Sequence, residues 1–237
     1  MECTGAQTLP EIKRANCTRI AIFASGRGSN ARALIEAIQS GQYANLEVVC
    51  VVTDRPAAPV IDIAQSFGVE VAVIPASSDS SLTKKERQWD LEERQVEYLQ
   101  ERQVDLLCLA GYMRLVGDCL LQHFYDKQLG HARIVNIHPS LLPNFPGKNA
   151  YFEAFKVRPA HYGCTVHFVD AGMDTGPIIF QRAIKMPLSH SYEELVAKGL
   201  EAEHQLYQYF LECWNRGIVQ NSFGLEHTGR QECSYQQ

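Results

Sequence analysis

The segment IVNIHPSLLPNFPG, residues 134–147, sets an amide side chain two positions before an imidazole. In an extended chain alternate side chains share a face, so Asn136 and His138 point together while Ile137 points away. An amide N–H stabilises charge developing on a carbonyl oxygen, and an imidazole moves a proton. The pair suits acyl transfer; the competing reading is that His138 braces the loop that follows it. Asp174, in DAGMDTGPI, is a candidate third member, because a carboxylate beside an imidazole favours the protonated ring and raises its pKa. Turn aspartates also satisfy local backbone donors, which is the alternative for Asp174. Arg114 follows LAGYM at the end of another predicted strand, where it either clamps a carboxylate or polar ring or is simply solvated.

A second constellation lies in IAIFASGRGSNARALIEAI, residues 20–38. Glycines between a strand and a helix let backbone N–H groups approach an anion, and the helix N-terminus adds positive partial charge. Ser29 or Asn30 then either donates a side-chain hydrogen bond or caps the helix. Read as G-x-G-x-x-A, the same residues match a dinucleotide fingerprint through Ala31, with Asp54 placed as a ribose-binding acid. A ligand-free turn, a mononucleotide cradle and a dinucleotide cradle all remain open on this motif alone.

Such residues act together only if the fold brings them to one edge. RIAIFAS reads as a strand, residues 30–39 as a helix, LEVVCVVT as a strand, residues 57–67 as a helix and VEVAVIP as a third strand. A charged amphipathic helix follows over 83–102, opened by the capping box Thr83-x-x-Glu86. VDLLCLAGY and RIVNIH are further buried strands, with a short helix near 118–124 between them. PSLLPNFPG, with three prolines in nine residues, is a loop. YGCTVHFVD and GPIIFQRAIKM are strands joined by AGMDTG, and a last helix opens at Ser191-x-x-Glu194 and runs to about Trp214. The rhythm predicts a single α/β domain built on a doubly wound, mostly parallel sheet. Ligands of such sheets bind at the carboxyl ends of the strands, where Asn136, His138 and Arg114 fall. Residues 1–18 are expected to be an N-terminal extension, 19–217 the domain, and 218–237 a loose tail without periodicity.

The 237 residues are 46% hydrophobic and 21% charged, as in a soluble globular protein. No run nears the roughly 18 apolar residues of a membrane span, and residues 1–18 lack a signal peptide's apolar core. The eight cysteines include no CxxC pair, and several sit in apolar runs. They are expected to be buried thiols in a reducing compartment rather than a metal or disulfide framework. A net charge of −5 without long basic runs gives no support to nucleic-acid binding. His167 lies in a strand and reads as a core or bracing residue. His123, His131, His190 and His227 read as surface positions.

Taken together, SGRGSN, LAGYMR, NIHPSLLPNFPG, HYGCTVHFV and DTGPII, in that order, resemble the folate-dependent glycinamide ribonucleotide formyltransferases. The resemblance covers about residues 19 to 215. It implies the formyltransferase fold, a cytoplasmic enzyme of purine synthesis, and formyl transfer from 10-formyltetrahydrofolate as co-substrate to the amine of a phosphoribosyl glycinamide. The implied partners are a small-molecule ribonucleotide and a folate, with no metal, nucleic acid or membrane. Gly28, Ser29 and Asn30, with the backbone of Ala31 and Arg32, would hold the phosphate, and Glu203 the ribose or glycinamide part. Asn136 would bond the formyl oxygen, His138 act as general acid, and Asp174 raise the pKa of His138 and order a water. Met113, Arg114, Leu115 and Val116 would line the folate site, Arg114 reaching the glutamate tail.

Departures from the family pattern are visible. After FPG the family usually has Leu-His-x-His, whereas this chain has Lys148, Asn149, Ala150 and Tyr151. Asn149 would keep a hydrogen bond toward the aspartate without carrying a proton charge, and Leu200 replaces a polar residue near the ribonucleotide. The rival functions are a 10-formyltetrahydrofolate hydrolase, an amino-sugar formyltransferase and a non-catalytic ligand-binding paralogue. An oxidoreductase would leave NIHPSLLPNFPG and Asp174 unexplained.

Overall fold

The computed structural model describes residues 17–186 and 191–224. Most of the expected N-terminal extension, His190, His227 and the tail beyond 224 lie outside the described residues. Along the chain come β1 (Thr18–Phe23), α1 (Ser29–Gln39), β2 (Leu46–Thr53), α2 (Val60–Ser66), β3 (Glu70–Val73) and α3 (Lys84–Glu101). Then follow β4 (Leu106–Leu109), α4 (Asp118–His123), β5 (Tyr125–Asp126), β6 (His131–Ala132) and β7 (Ile134–His138). The rest is α5 (Ala150–Val157), β8 (His161–Phe168), β9 (Ile178–Lys185), α6 (Tyr192–Asn215) and α7 (Ile218–Gly224).

Seven strands form one sheet in the order β3-β2-β1-β4-β7-β8-β9. The first five are mutually parallel, while β8 and β9 run antiparallel. Central strands of such a sheet are covered on both faces, which is why β1 is a continuous apolar run. Ile20 and Ile22 face α1 and α6 residues such as Leu34 and Phe210. Ala21 and Phe23 face the other layer, with Leu99 of α3 and Leu120 of α4. The doubly wound, mostly parallel sheet is the architecture that the alternating pattern predicts. Both capping boxes form, Thr83 with Glu86 and Ser191 with Glu194.

Several elements differ from expectation. Helix α5 and the two-stranded β5-β6 ladder are too short to carry a readable period. Residues 218–224 form α7 instead of loose chain, anchored by Val219 at 1% exposure. A helix of that length owes its stability to packing rather than propensity. His131 is half-buried and stacks on Phe168. His123 is also half-buried, and burial, assisted by Arg133, pushes its pKa down to about 4. Neither is an ordinary surface histidine. Cys50, Cys108, Cys119, Cys164 and Cys213 are buried as expected, whereas Cys17 is exposed and Cys3 and Cys233 lie outside the described residues. Among the described residues no helix is long and apolar enough to cross a membrane.

Helix α3 pins the segment between β4 and α4. Gly117 precedes α4 and has no side chain to cap it, so Glu92 supplies the cap from α3. Its carboxyl accepts from Gly117 N at 2.5 Å and Leu120 N at 3.4 Å, and Gln88 Nε2 bonds Leu115 O at 2.9 Å. Glu92 is 2% exposed, so its removal leaves buried amides unmatched. Glu92→Ala should therefore cost about 2–4 kcal/mol in urea denaturation. Glu92→Gln, which keeps an acceptor, should cost clearly less; equal losses would argue against capping by this side chain.

Candidate active site

Gly28 begins α1 with φ 76°, and a Cβ there would stand 2.7 Å from Val60 Cγ2. Only glycine allows this turn. Arg32 N donates to Gly28 O at 2.8 Å as the first helical bond. The N–H groups of Ser29, Asn30 and Ala31 thus have no intrahelical acceptor and leave an anion-attracting end. Ala31 is fully buried and offers only its backbone, while Arg32 is exposed and lies 3.7 Å from Glu36. No side chain caps α1. Asn30 instead turns inward, its Nδ2 donating to Glu203 Oε2 at 2.6 Å, and Glu203 is itself only 4% exposed. Burial holds the Glu203 pKa above the usual carboxylate value, against the bonds from Tyr151 and Asn30.

Beside this end, Ser25 Oγ donates to Asp54 Oδ1 at 2.6 Å, and Arg114 Nε donates to Asp54 Oδ2 at 2.7 Å. Met113 N donates to Ser25 Oγ at 3.0 Å, so the cluster ties β1, β2 and the segment after β4 together. Burial pulls the Asp54 pKa upward, but the bonds from Ser25 and Arg114 outweigh it and hold the carboxyl below its ordinary value. Asp54 is engaged by protein on both oxygens and is not presented as a ribose-binding acid. Of the folate candidates, Met113 and Leu115 are exposed, whereas Val116 packs into the core. Arg114 retains its two Nη groups beyond the ion pair.

Strand β7 carries the remaining residues. Val135 and Ile137 pack into the core on one side, and Asn136 and His138 take the other, as period-2 alternation requires. Asn136 lies directly across from His167 of β8, and its Nδ2 is 3.2 Å from His167 Nε2. The other ring nitrogen, Nδ1, is 2.7 Å from Phe168 O and so carries the proton. Nε2 stands between the Asn136 amide, which it braces, and Asp174 Oδ1 at 3.6 Å, leaving an N–H of Asn136 for another acceptor. His167 is the bracing residue that its place in a strand predicts.

His138 Nε2 is 2.9 Å from Phe145 O, and Nδ1 is 3.3 Å from Asp174 Oδ2. Asp174 also receives Gly147 N at 2.7 Å and stands 3.6 Å from His167 Nε2. Burial pushes the Asp174 pKa up, but contacts from His167, Gly147 and His138 prevail and lower it. For His138 burial is decisive: it lowers the pKa against the upward pull of Phe145 O and Asp174. The expected rise is thus reversed in the net direction, although Asp174 pulls as anticipated. The proline-rich loop is held by Thr165, which donates to Ser140 O at 2.7 Å and accepts from Leu142 N at 3.1 Å. Position 149 does not play its expected part, since Gly147 rather than Asn149 bonds Asp174. Asn149 is exposed at φ 67°, Lys148 is exposed, and Leu200 is half-buried. Among the described residues no group of three or more His, Cys, Asp or Glu could hold a metal ion.

A sequence model of formyl transferases matches residues 18–211. The chain belongs to the formyl transferase family. The phosphoribosylglycinamide formyltransferase of Bacillus subtilis (strain 168) is 36% identical over 212 residues, covering 89% of this chain and 97% of that protein. A crystal structure of phosphoribosylglycinamide formyltransferase from Bacillus halodurans superposes with a TM-score of 0.73 at 41% identity, covering 83% of this chain and 95% of that one. Glycinamide ribonucleotide transformylase 1 from Symbiobacterium toebii gives 0.75 at 36% identity, over 86% and 90% of the two chains.

In this formyl transferase two connections are not expected from residue order. Tyr151 bonds the buried Glu203, and Ser25 joins Asp54 to the Met113 segment. The one signal for the first was Gly199, four residues before Glu203 and so on the same helical face. The Asp54 network has a pH signature. A carboxyl lowered on folding adds stability above its ordinary 3.8 and loses it as pH falls through the folded value. Asp54→Asn should therefore lower the urea midpoint at pH 7, with the gap to wild type narrowing below about pH 4. A gap that stays constant down to pH 3 would sink this account.

Proposed function

We propose that the chain transfers a formyl group from 10-formyltetrahydrofolate to the amine of 5'-phosphoribosylglycinamide in de novo purine biosynthesis. The observation that carries the reading is the approach of His138 Nδ1 to Asp174 Oδ2 at 3.3 Å, two strand positions beyond a braced Asn136. The relatives bearing the phosphoribosylglycinamide formyltransferase name support the same assignment. The α1 N-terminus, from Gly28 to Arg32, takes the ribonucleotide phosphate. Exposed Met113 and Leu115 offer an apolar surface to a flat ring, and the Nη groups of Arg114 take a tail carboxylate. The partners are small molecules rather than nucleic acid or membrane, and the setting is the cytoplasm.

The chemistry follows from the bonds exchanged. The substrate amine attacks the formyl carbon, the new C–N bond forms, and the bond from that carbon to the folate nitrogen breaks. Negative charge grows on the formyl oxygen, where the second N–H of Asn136 meets it. The attacking nitrogen sheds a proton and the leaving nitrogen gains one, a transfer that His138 serves while Asp174 holds the ring. Bringing both substrates to one sheet edge removes the entropic cost of their encounter.

The decisive measurement follows release of tetrahydrofolate from 10-formyltetrahydrofolate with and without glycinamide ribonucleotide. Turnover that requires the ribonucleotide is expected, whereas turnover in water alone would make the protein a hydrolase. His138→Ala and Asp174→Asn should each lower kcat by about 10²–10⁴-fold. Asn136→Ala should lower it by about 10²–10³-fold. Near wild-type rates in both His138→Ala and Asp174→Asn would refute the mechanism.

A further inference from the structure

Glu203 is expected to touch the ribose, yet it lies beneath other side chains. One carboxyl oxygen accepts from Asn30 in a fully buried bond, and the other accepts from the hydroxyl of Tyr151 in a bond that is only part-buried. Tyr151 is half-buried whereas Glu203 is 4% exposed, so Tyr151 is the outer member of this chain of bonds. The ring has a dedicated seat. It lies on Gly199, where an added Cβ would collide with the Tyr151 ring. Gly199 sits inside α6, in a helix interior where glycine is unfavourable, and Glu203 is one turn further along the same face. Ring over Gly199 and hydroxyl on Glu203 are therefore one arrangement. Burial and Glu203 both raise the Tyr151 pKa, so the phenol keeps its proton and donates it to Glu203. Its oxygen lone pairs remain able to accept.

We propose that Tyr151, not Glu203, touches the sugar of the ribonucleotide: its oxygen accepts from a ribose hydroxyl while its own O–H donates to Glu203. The inference rests on the ribonucleotide reading above and adds a specificity-determining residue to it. Glu203 becomes the positioning residue, acting through the phenol. It also gives a physical role to Tyr151, which stands where the family pattern has histidine.

The test is calorimetric titration of the full chain with ribose 5-phosphate, its 2-deoxy and 3-deoxy counterparts, and inorganic phosphate. Wild type should prefer ribose 5-phosphate over at least one deoxy sugar. Tyr151→Phe should bind ribose 5-phosphate about tenfold more weakly, the scale of one hydrogen bond tied to a charged group, and lose that preference. Its affinity for inorganic phosphate should stay unchanged, which a general loss of structure would not allow. Gly199→Ala, which keeps the tyrosine but pushes its ring and hydroxyl out of their seat, should give the same pattern and serves if Tyr151→Phe fails to fold. Equal or tighter binding of ribose 5-phosphate by Tyr151→Phe would overturn the inference alone. Failure of wild type to bind either phosphate compound would overturn the ribonucleotide reading as well.

Discussion

The Asp174 carboxylate is the point on which the site converges. It meets the imidazole of β7, the imidazole of β8 and the Gly147 amide of the proline-rich loop, three separate segments within residues 138–167. Its backbone is in the left-handed region at φ 56°, a conformation that aspartate tolerates better than most residues. A charge in this half-buried setting needs several partners, and each partner is fixed by a different element. The antiparallel β8 matters here, because it sets His167 directly across from Asn136 and leads into the turn that holds Asp174. A further parallel crossover strand would have taken the chain away from this edge.

The site is also built from interactions that prevent movement. Asn136 is held by His167, whose tautomer is set by the Phe168 carbonyl. The loop after His138 is held by Thr165, and Gln181 of β9 adds bonds at 2.9 Å to both Leu142 O and Thr165 Oγ1. On the far side, Tyr207 of α6 sends its hydroxyl into the sheet, 3.0 Å from Leu109 O and 3.3 Å from Val135 O. The same helix carries Glu203 to the first turn of α1. One helix thereby couples the centre of the sheet to the anion-attracting helix end. Preorganisation of this kind places donors before charge develops, so less reorganisation accompanies the reaction.

Much of this was legible from residue order. Apolar runs alternating with amphipathic stretches specify a parallel sheet, because strands covered on both faces must be apolar throughout. Alternation within IVNIH specifies that Asn136 and His138 share a face, and Gly28 specifies a turn that no side chain fits. The capping boxes mark the starts of α3 and α6 through contacts three residues apart. These are local consequences of backbone geometry, and the sequence by itself determined them.

What only the tertiary structure decided depends on distance in space between residues remote along the chain. Asp54 looks like a ribose-binding acid until Ser25 and Arg114 are seen to occupy its oxygens. Val116 looks like a cleft residue until the packing of α3 and α4 draws it into the core. The direction of the His138 pKa follows from how deeply the loop buries the ring, which its neighbours in sequence do not reveal. Glu203 keeps the type expected of a substrate contact, but the seat on Gly199 lets Tyr151 stand in front of it. Residue type sets which bonds a side chain can make; burial and long-range packing select which of them it does make.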